Sequence, residues 1–268
     1  MEDDTTPALS LVIPAFEEAA RLPETFRALE AWLSAPPCAP VEVLLVDDGS
    51  ADATLELCQA FAATRPSGQV RAVGAPHRGK GATVTRGVLE ARGALILFSD
   101  ADLSVPLSEA EALIAAVEQG ADVAIGSREL PGSRREEEPG YRHLMGRAFN
   151  RVVQLLVLPG IQDSQCGFKL FRRQAARDVF SRLRRYGADA PPVRGPMVTA
   201  FDVEALFLAR QLGYRVAEVP ITWVHGHGSK VRPVVDALRM ARDVALVKWG
   251  ALTGAYEPRS GSGDRLDP

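Results

Sequence analysis

Residues 94–102 read Ala-Leu-Ile-Leu-Phe-Ser-Asp-Ala-Asp. The stretch is a short apolar run rich in Ile, Leu and Phe that ends abruptly in two carboxylates. A run of that length and composition predicts a buried strand, and a strand buried on both sides belongs to a sheet covered by helices. In open α/β sheets ligands bind beyond the carboxyl ends of the strands, which is where Asp100 and Asp102 fall. With Ala101 between them, a bend would aim both carboxylates at one oxygen-seeking cation such as Mg2+ or Mn2+. The same three residues also suit a polar turn closing a strand, and the neighbouring chain has to decide between the two.

The chain repeats the pattern. Leu9 to Ile13 is an apolar run, and Pro14, which cannot donate to a sheet ladder, predicts its end. Arg21 to Leu33 carries Leu22, Phe26, Leu29 and Leu33 at helical spacing. Val41 to Val46 is a further strand, ending in Asp47-Asp48-Gly49-Ser50. A helix follows from Asp52 and Thr54. Val70 to Val73 is a weaker strand, and His77-Arg78-Gly79-Lys80-Gly81 leads into a helix through Val84 and Val88. Strand and helix alternate, which predicts a mostly parallel sheet flanked by helices. Glycines around Lys80 allow backbone to approach a phosphate closely. No Walker loop is present, and no Gly-x-Gly-x-x-Gly follows the first strand, so P-loop and dinucleotide folds are disfavoured.

Charge is distributed unevenly. Residues 1–134 hold 10 Lys and Arg against 20 Asp and Glu, whereas residues 135–268 hold 21 against 14. An acidic first half suits a cation, and a basic second half suits an anionic partner or membrane surface. No helix-turn-helix, finger or aromatic-interleaved basic pattern points to nucleic acid. Cys38, Cys58 and Cys166 stand far apart without metal-ligand spacing, which fits a reducing, cytoplasmic setting. The acidic start, Met1-Glu2-Asp3-Asp4, argues against a secretory signal.

Four motifs in order, Val12-Ile13-Pro14-Ala15-Phe16-Glu17-Glu18, Val46-Asp47-Asp48-Gly49-Ser50, Arg78-Gly79-Lys80-Gly81 and Asp100-Ala101-Asp102, resemble those of family 2 inverting glycosyltransferases. The second half narrows the resemblance. Gln165-Cys166-Gly167-Phe168-Lys169-Leu170-Phe171, Phe201-Asp202-Val203-Glu204 and Gly228-Ser229-Lys230 are similar to dolichyl-phosphate β-glucosyltransferases, with the mannosyltransferases as close cousins. The resemblance implies a GT-A fold over residues 9–233, with a nucleotide-sugar half (9–103) and an acceptor half (104–233).

The resemblance also implies roles. Pro14, Ala15, Phe16, Glu18, Asp47, Lys80, Asp100, Ala101 and Lys230 would bind the nucleotide-sugar. Asp102, with Asp100, would hold Mg2+ or Mn2+, and His225 and His227 are further candidate ligands. Arg128 and Arg147 would grip the acceptor phosphate, since arginine presents a permanently charged fork. Asp202 stands where related enzymes carry a base, with Glu204 beside it; a core acid paired with an arginine is the alternative for Asp202. The cousins carry an arginine shortly before the Gly-x-Ser-Lys lysine and a Gln after Asp-Ala-Asp. Here those places read Thr222-Trp223-Val224-His225 and Ser104, which favours a UDP-sugar, foremost UDP-glucose, over GDP-mannose.

The expected reaction is therefore metal-dependent transfer of a hexose to a polyprenyl phosphate. Alternatives are a soluble acceptor, a sugar-nucleotidyltransferase and a non-catalytic binding protein. Residues 147–158 and an amphipathic helix over 234–252 pair basic with apolar residues, as an interfacial helix does, so peripheral attachment at the cytoplasmic face of a membrane is expected. Residues 130–140 read as a mobile loop, and 253–268 as a disordered tail.

Overall fold

The computed structural model describes residues 6–136, 140–187, 189–195, 199–224 and 233–256. Five elements run in strict alternation from the start: β1 (Leu9–Ala15), α1 (Leu22–Ser34), β2 (Val41–Asp47), α2 (Thr54–Ala63) and β3 (Val70–Gly74). α3 (Lys80–Glu90), β4 (Leu95–Ser99), α4 (Ala110–Glu118) and β5 (Val123–Ser127) continue it. Then come β6 (Arg134–Glu136), α5 (Gly140–Leu156), β7 (Phe168–Arg172), α6 (Arg173–Phe180), α7 (Phe201–Gln211), β8 (Val216–Pro220), β9 (Thr222–Val224) and α8 (Pro233–Leu252).

Seven strands form one sheet in the order β3-β2-β1-β4-β7-β5-β8. β7 alone runs antiparallel to its neighbours β4 and β5; the other pairings are parallel. The chain moves outward from β1 to β2 and β3, then returns to place β4 on the other side of β1. The strand order therefore reverses between β1 and β4, and the crevice beyond their carboxyl ends is the place where such sheets take ligands.

Alternation along the strands divides the core. Leu9, Leu11, Ile13, Val43 and Leu45 face the helices α1, α2 and α4 with Leu22, Leu29, Phe61 and Leu113. Val12, Leu44, Val46, Ile96 and Phe98 face the other side, with Val84, Val88, Val179 and Phe201 from α3, α6 and α7. Every residue of β1 and β2 is buried, as expected of strands covered on both faces.

Several boundaries differ from those the sequence predicts. β1 continues through Pro14 to Ala15. Ala15 directs its carbonyl to the amide of Asp48, so Pro14 faces the opposite side, toward β4, whose registered pairing with β1 ends at Val12. Its missing N–H thus costs no ladder bond. The stretch expected as a mobile loop includes a strand, β6, which pairs with β9 through Arg134–Thr222 and Glu136–Val224. The expected tail is folded as far as Tyr256, whose ring packs on Phe207 and whose hydroxyl donates to Glu204 Oε1 at 3.0 Å.

α8 is present where a helix was expected, but apolar residues lie on both of its sides. Val244 and Val247 are buried, while Trp249 and Leu252 are exposed. Among the described residues no helix is long and apolar enough to cross a membrane.

Candidate active site

The carboxyl ends of β1, β2 and β4 are tied together by side chains that cap one another's loops. After β1, Glu17 takes a left-handed backbone, φ 51°. Its amide donates to Ser50 Oγ at 2.9 Å, and the amide of Glu18 donates to Thr54 Oγ1 at 2.9 Å. After β2, Asp47 accepts from the amides of Gly49 and Ser50 at 3.0 and 3.1 Å. Asp48 is also buried. It accepts from His77 Nδ1 at 2.8 Å and from the amides of Arg78 and Gly79 at 2.9 Å. His77 then stacks flat on Phe16, ring centres 4.0 Å apart. Three loops are therefore tied together at this end of the sheet, held by two buried aspartates.

Gly79, at φ 90°, starts α3, so Lys80 and Gly81 sit in the first helical turn rather than in a free loop. A side chain at Gly81 would collide with Tyr186 and Phe201; its absence lets α7 close onto this turn. Lys80 Nζ reaches Asp100 Oδ1 at 2.5 Å. The Asp100 carboxylate in turn lies over Gly167, where an added Cβ would fall 2.2 Å from Oδ2. Beyond it, Asp102 is exposed and accepts from the amide of Ser104 at 3.0 Å. Leu103 between them is left-handed, φ 45°, a strained conformation for a bulky residue of the kind that marks functional loops.

β7 brings the second half of the site alongside. Lys169, fully buried, places Nζ 2.5 Å from Asp202 Oδ1 and 2.5 Å from the carbonyl of Cys166. On the far side Asp163, also fully buried, is held by Arg128. Nε and Nη2 donate at 2.7 and 2.9 Å, and the Arg128 amide adds a third bond at 3.0 Å. The result is a row of alternating charge: Asp100, Lys80, Asp202, Lys169, Asp163, Arg128.

The row sets the protonation of its members. Burial opposes a charge on Lys80, but Asp100, Asp202 and Asp102 outweigh it and raise its pKa. Burial raises the Asp202 pKa, with Lys169 and Lys80 working against it. Burial likewise pushes Asp163 up, yet Arg128 and then Lys169 bring it down to about 2. The Cys166 thiol beside them is pushed up to about 12, chiefly by burial, and is inert.

Residues 10–180 match the Glycosyl transferase family 2 domain. The chain is 34% identical to a dolichyl-phosphate beta-glucosyltransferase of Drosophila melanogaster, over 96% of this chain and 79% of that protein. It is 33% identical to the Homo sapiens enzyme of the same name, over 95% and 79%.

The chain belongs to glycosyltransferase family 2.

Solved structures place this glycosyltransferase in the GT-A fold. Glucosyl-3-phosphoglycerate synthase from Mycobacterium tuberculosis, in complex with Mn2+, UDP and glucosyl-3-phosphoglycerate, superposes with a TM-score of 0.62. It shares 20% identity over 95% of this chain and 82% of that one. Mannosyl-3-phosphoglycerate synthase from Rubrobacter xylanophilus gives 0.64 at 18%, over 95% and 77%.

Within this family 2 enzyme, Pro14, Ala15, Phe16, Glu18, Asp47, Lys80, Asp100, Ala101 and Asp102 gather at the β1–β2–β4 ends, and Arg128 and Asp202 join them through the charged row. Glu18 is paired with Arg21 at 2.6 Å. Asp202 is paired with a lysine rather than an arginine. Glu204 turns away, accepting from the amides of Arg184 and Arg185 at 2.9 and 3.3 Å. Arg147 is exposed on α5 and stands outside the row. His225, His227 and Lys230 lie outside the described residues. Sequence reasoning had not singled out Asp48, His77, Asp163 or Lys169. The signal for Lys169 was a lone cation inside the apolar run Phe168–Phe171, which only a buried partner explains.

Two carboxylates two residues apart in the loop after β4, one exposed and one beside an ammonium, are hard-oxygen donors of the kind that Mg2+ or Mn2+ takes.

Proposed function

We propose that this glycosyltransferase moves glucose from UDP-glucose to a polyprenyl phosphate of the dolichyl or undecaprenyl type, with inversion and with a divalent metal. The observation that carries the reading is the charged row. It begins at donor-type carboxylates beyond the sheet's switch point and ends at a guanidinium locked in place by Asp163. The names of the relatives supply the acceptor and the sugar.

In this reading Asp102 and Asp100 hold Mg2+ or Mn2+. When bound, the ion neutralises charge on the departing diphosphate. Lys80 turns from Asp100 to a phosphoryl oxygen of the donor, supplying a second positive charge at the leaving group. Phe16, His77 and Asp47 frame the nucleoside. Arg128, with Lys230 and Arg147, orients the acceptor phosphate. One oxygen of that phosphate attacks the anomeric carbon, and the bond to the nucleoside diphosphate breaks on the opposite face. The nucleophile is already ionised near neutral pH, so no side chain has to remove a proton. That agrees with Asp202 being buried and engaged by Lys169.

The acceptor would be met at a membrane. Val152 and Leu155 on α5, the latter 74% exposed, lie with Arg147 and Arg151 on that helix's exposed side, and Trp249, 67% exposed, lies with Lys248 on α8. Apolar residues and a tryptophan beside basic ones suit an interface. Free Cys38, Cys58 and Cys166 suit the cytoplasmic face.

The test is incubation with Mn2+ or Mg2+, polyprenyl phosphate and separate UDP- and GDP-sugars, reading sugar in the organic phase. Glucose transfer from UDP-glucose, abolished by chelator and by Asp102→Ala, is expected. The structural likeness to phosphoglycerate-glycosylating enzymes favours one second reading, a soluble phosphate-bearing acceptor. Product in the aqueous phase with 3-phosphoglycerate, and none in the organic phase, would replace the lipid reading with that one.

A further inference from the structure

The charged row ends at Arg128, and the group that places Asp163 against it lies outside the row. Residues 157–167 form neither helix nor strand, so the position of Asp163 depends on what the amides of its loop meet. Two of them meet one side chain. The Gln162 amide donates to Glu218 Oε2 at 2.7 Å, and the Asp163 amide donates to Glu218 Oε1 at 2.9 Å. Both carboxylate oxygens are used on successive amides. Such charge-assisted bonds fix the orientation of the turn as well as its distance.

Glu218 is half-buried on β8 and stands in register with Ile125 of β5. Arg128 follows the end of that same β5 strand. The turn at 162–163 therefore spans two points on one pair of parallel strands, its amides on Glu218 and its carboxylate on Arg128. Asp163 accepts from Nε, Nη2 and the amide of Arg128, so a shift of the turn passes directly to the guanidinium. Trp223, on β9 just beyond β8, faces the same guanidinium at 5.5 Å. A carboxylate that merely closed a loop would act on stability alone. This one holds the turn whose buried acid sets the arginine fork.

We propose that Glu218 is a positioning residue for the transfer reaction. By clamping the amides of Gln162 and Asp163 it sets, through Asp163, where the Arg128 fork stands toward the phosphate of the acceptor. The inference rests on the reading that Arg128 meets that phosphate. It holds for a lipid-linked and a soluble acceptor alike, since the fork recognises the phosphoryl group they share.

The test is steady-state transfer by the full chain, with donor and acceptor varied separately, in wild type, Glu218→Gln, Arg128→Lys and the double variant. The acceptor is polyprenyl phosphate or 3-phosphoglycerate, whichever takes sugar. Glutamine keeps the size of Glu218 but turns an NH2 toward one of the two amides, so the turn loses a bond and swings. Small misplacements of a binding group are costly, so acceptor KM should rise at least about tenfold in Glu218→Gln, while donor KM and UDP affinity, the latter by calorimetry with Mn2+, stay within about twofold. Glu218→Asp keeps the charge but falls short of the amides by one methylene, and should show the same split. Arg128→Lys should also raise acceptor KM. The double variant should be no worse than Arg128→Lys alone, because placement no longer matters once the fork is gone. Acceptor KM unchanged in both Glu218 variants but raised in Arg128→Lys would overturn the inference and leave the reading of Arg128 standing. So would a donor KM that rises in step with acceptor KM, the mark of a loosened fold, or penalties that multiply in the double variant. No transfer to either acceptor, or an acceptor KM unchanged in Arg128→Lys, would overturn the reading of Arg128 and the inference with it.

Discussion

Replacing Lys169 by Met should cost more stability than any single change in the loop after β4. Lys169 is fully buried and its Nζ lies 2.5 Å from Asp202 Oδ1, itself almost inaccessible. Met matches the lysine stem in length, so the change removes a charge rather than a volume. Removing one partner of a buried ion pair typically costs about 3–5 kcal/mol, because the other is left charged and dry. Lys80 still acts on Asp202, and the carboxyl can escape by taking up a proton, so the lower end, about 3 kcal/mol, is expected. For a chain of this size that is a fall of about 6–12 °C in Tm. The pH dependence gives the mechanism away. Burial already raises the Asp202 pKa, and loss of Lys169 raises it further. An acid whose folded pKa exceeds its unfolded value adds stability while protonated, and that contribution is lost as pH rises through the folded pKa. The variant should therefore lie closer to wild type in mildly acidic than in mildly alkaline buffer. Lys169→Met/Asp202→Leu removes both charges and should recover most of the loss. Urea unfolding across pH would measure all three proteins. A loss under about 1 kcal/mol in Lys169→Met, a penalty independent of pH, or a double variant as weak as the single one would refute the reasoning.

Gly167→Ala should keep the fold but lower kcat by about a hundredfold, since its Cβ would fall 2.2 Å from Asp100 Oδ2 and displace that carboxylate; circular dichroism and steady-state transfer check it. Asp48→Asn should lose about 2 kcal/mol of stability, because an amide NH2 would face the amides and imidazole that the carboxylate now accepts from; denaturant midpoints measure it. Arg128→Met should destabilise the fold most near neutral pH and least in acid. Asp163 is held at about 2 by Arg128 against burial, so in the wild type its contribution is present above the unfolded value of about 4 and is lost as pH falls toward 2; without the guanidinium burial raises the acid instead, so urea midpoints of variant and wild type should converge as pH falls. Cys58 and Cys166, whose thiols burial pushes up to about 12, should resist a thiol reagent in the native protein and react after denaturation.

The first half of the molecule was readable from sequence because its signals are local. An apolar run ending in carboxylates is a strand meeting a ligand crevice, and β1, β2 and β4 each follow that form. Pro14 misled by a local rule: its missing N–H matters only if a neighbouring strand accompanies it, and β4 has ended by then. The second half was less readable because its geometry depends on contacts distant in sequence. β7 enters antiparallel between two parallel halves of the sheet, and nothing in Phe168–Arg172 states which strands will flank it. Asp163 pairs with Arg128 across 35 residues and Lys169 with Asp202 across 33. A one-dimensional reading sees each of these as a solitary charge.

Those long-range pairs also explain why the second half tolerates so much buried charge. Each ion in the row Asp100, Lys80, Asp202, Lys169, Asp163, Arg128 has an opposite charge on either side, except at the two ends. Lys169 acts on Asp163 as well as on Asp202, and Lys80 acts on Asp202 as well as on Asp100. Interior desolvation is repaid only when each charge is matched this closely. The ends are where matching stops: Asp100 continues to the exposed carboxylate of Asp102, and Arg128 presents its outer face to the ring of Trp223 at 5.5 Å. A cationic ligand at one end and an anionic one at the other would complete the alternation. In the proposed reading, metal with donor at one end and a phosphate acceptor at the other would be such a pair.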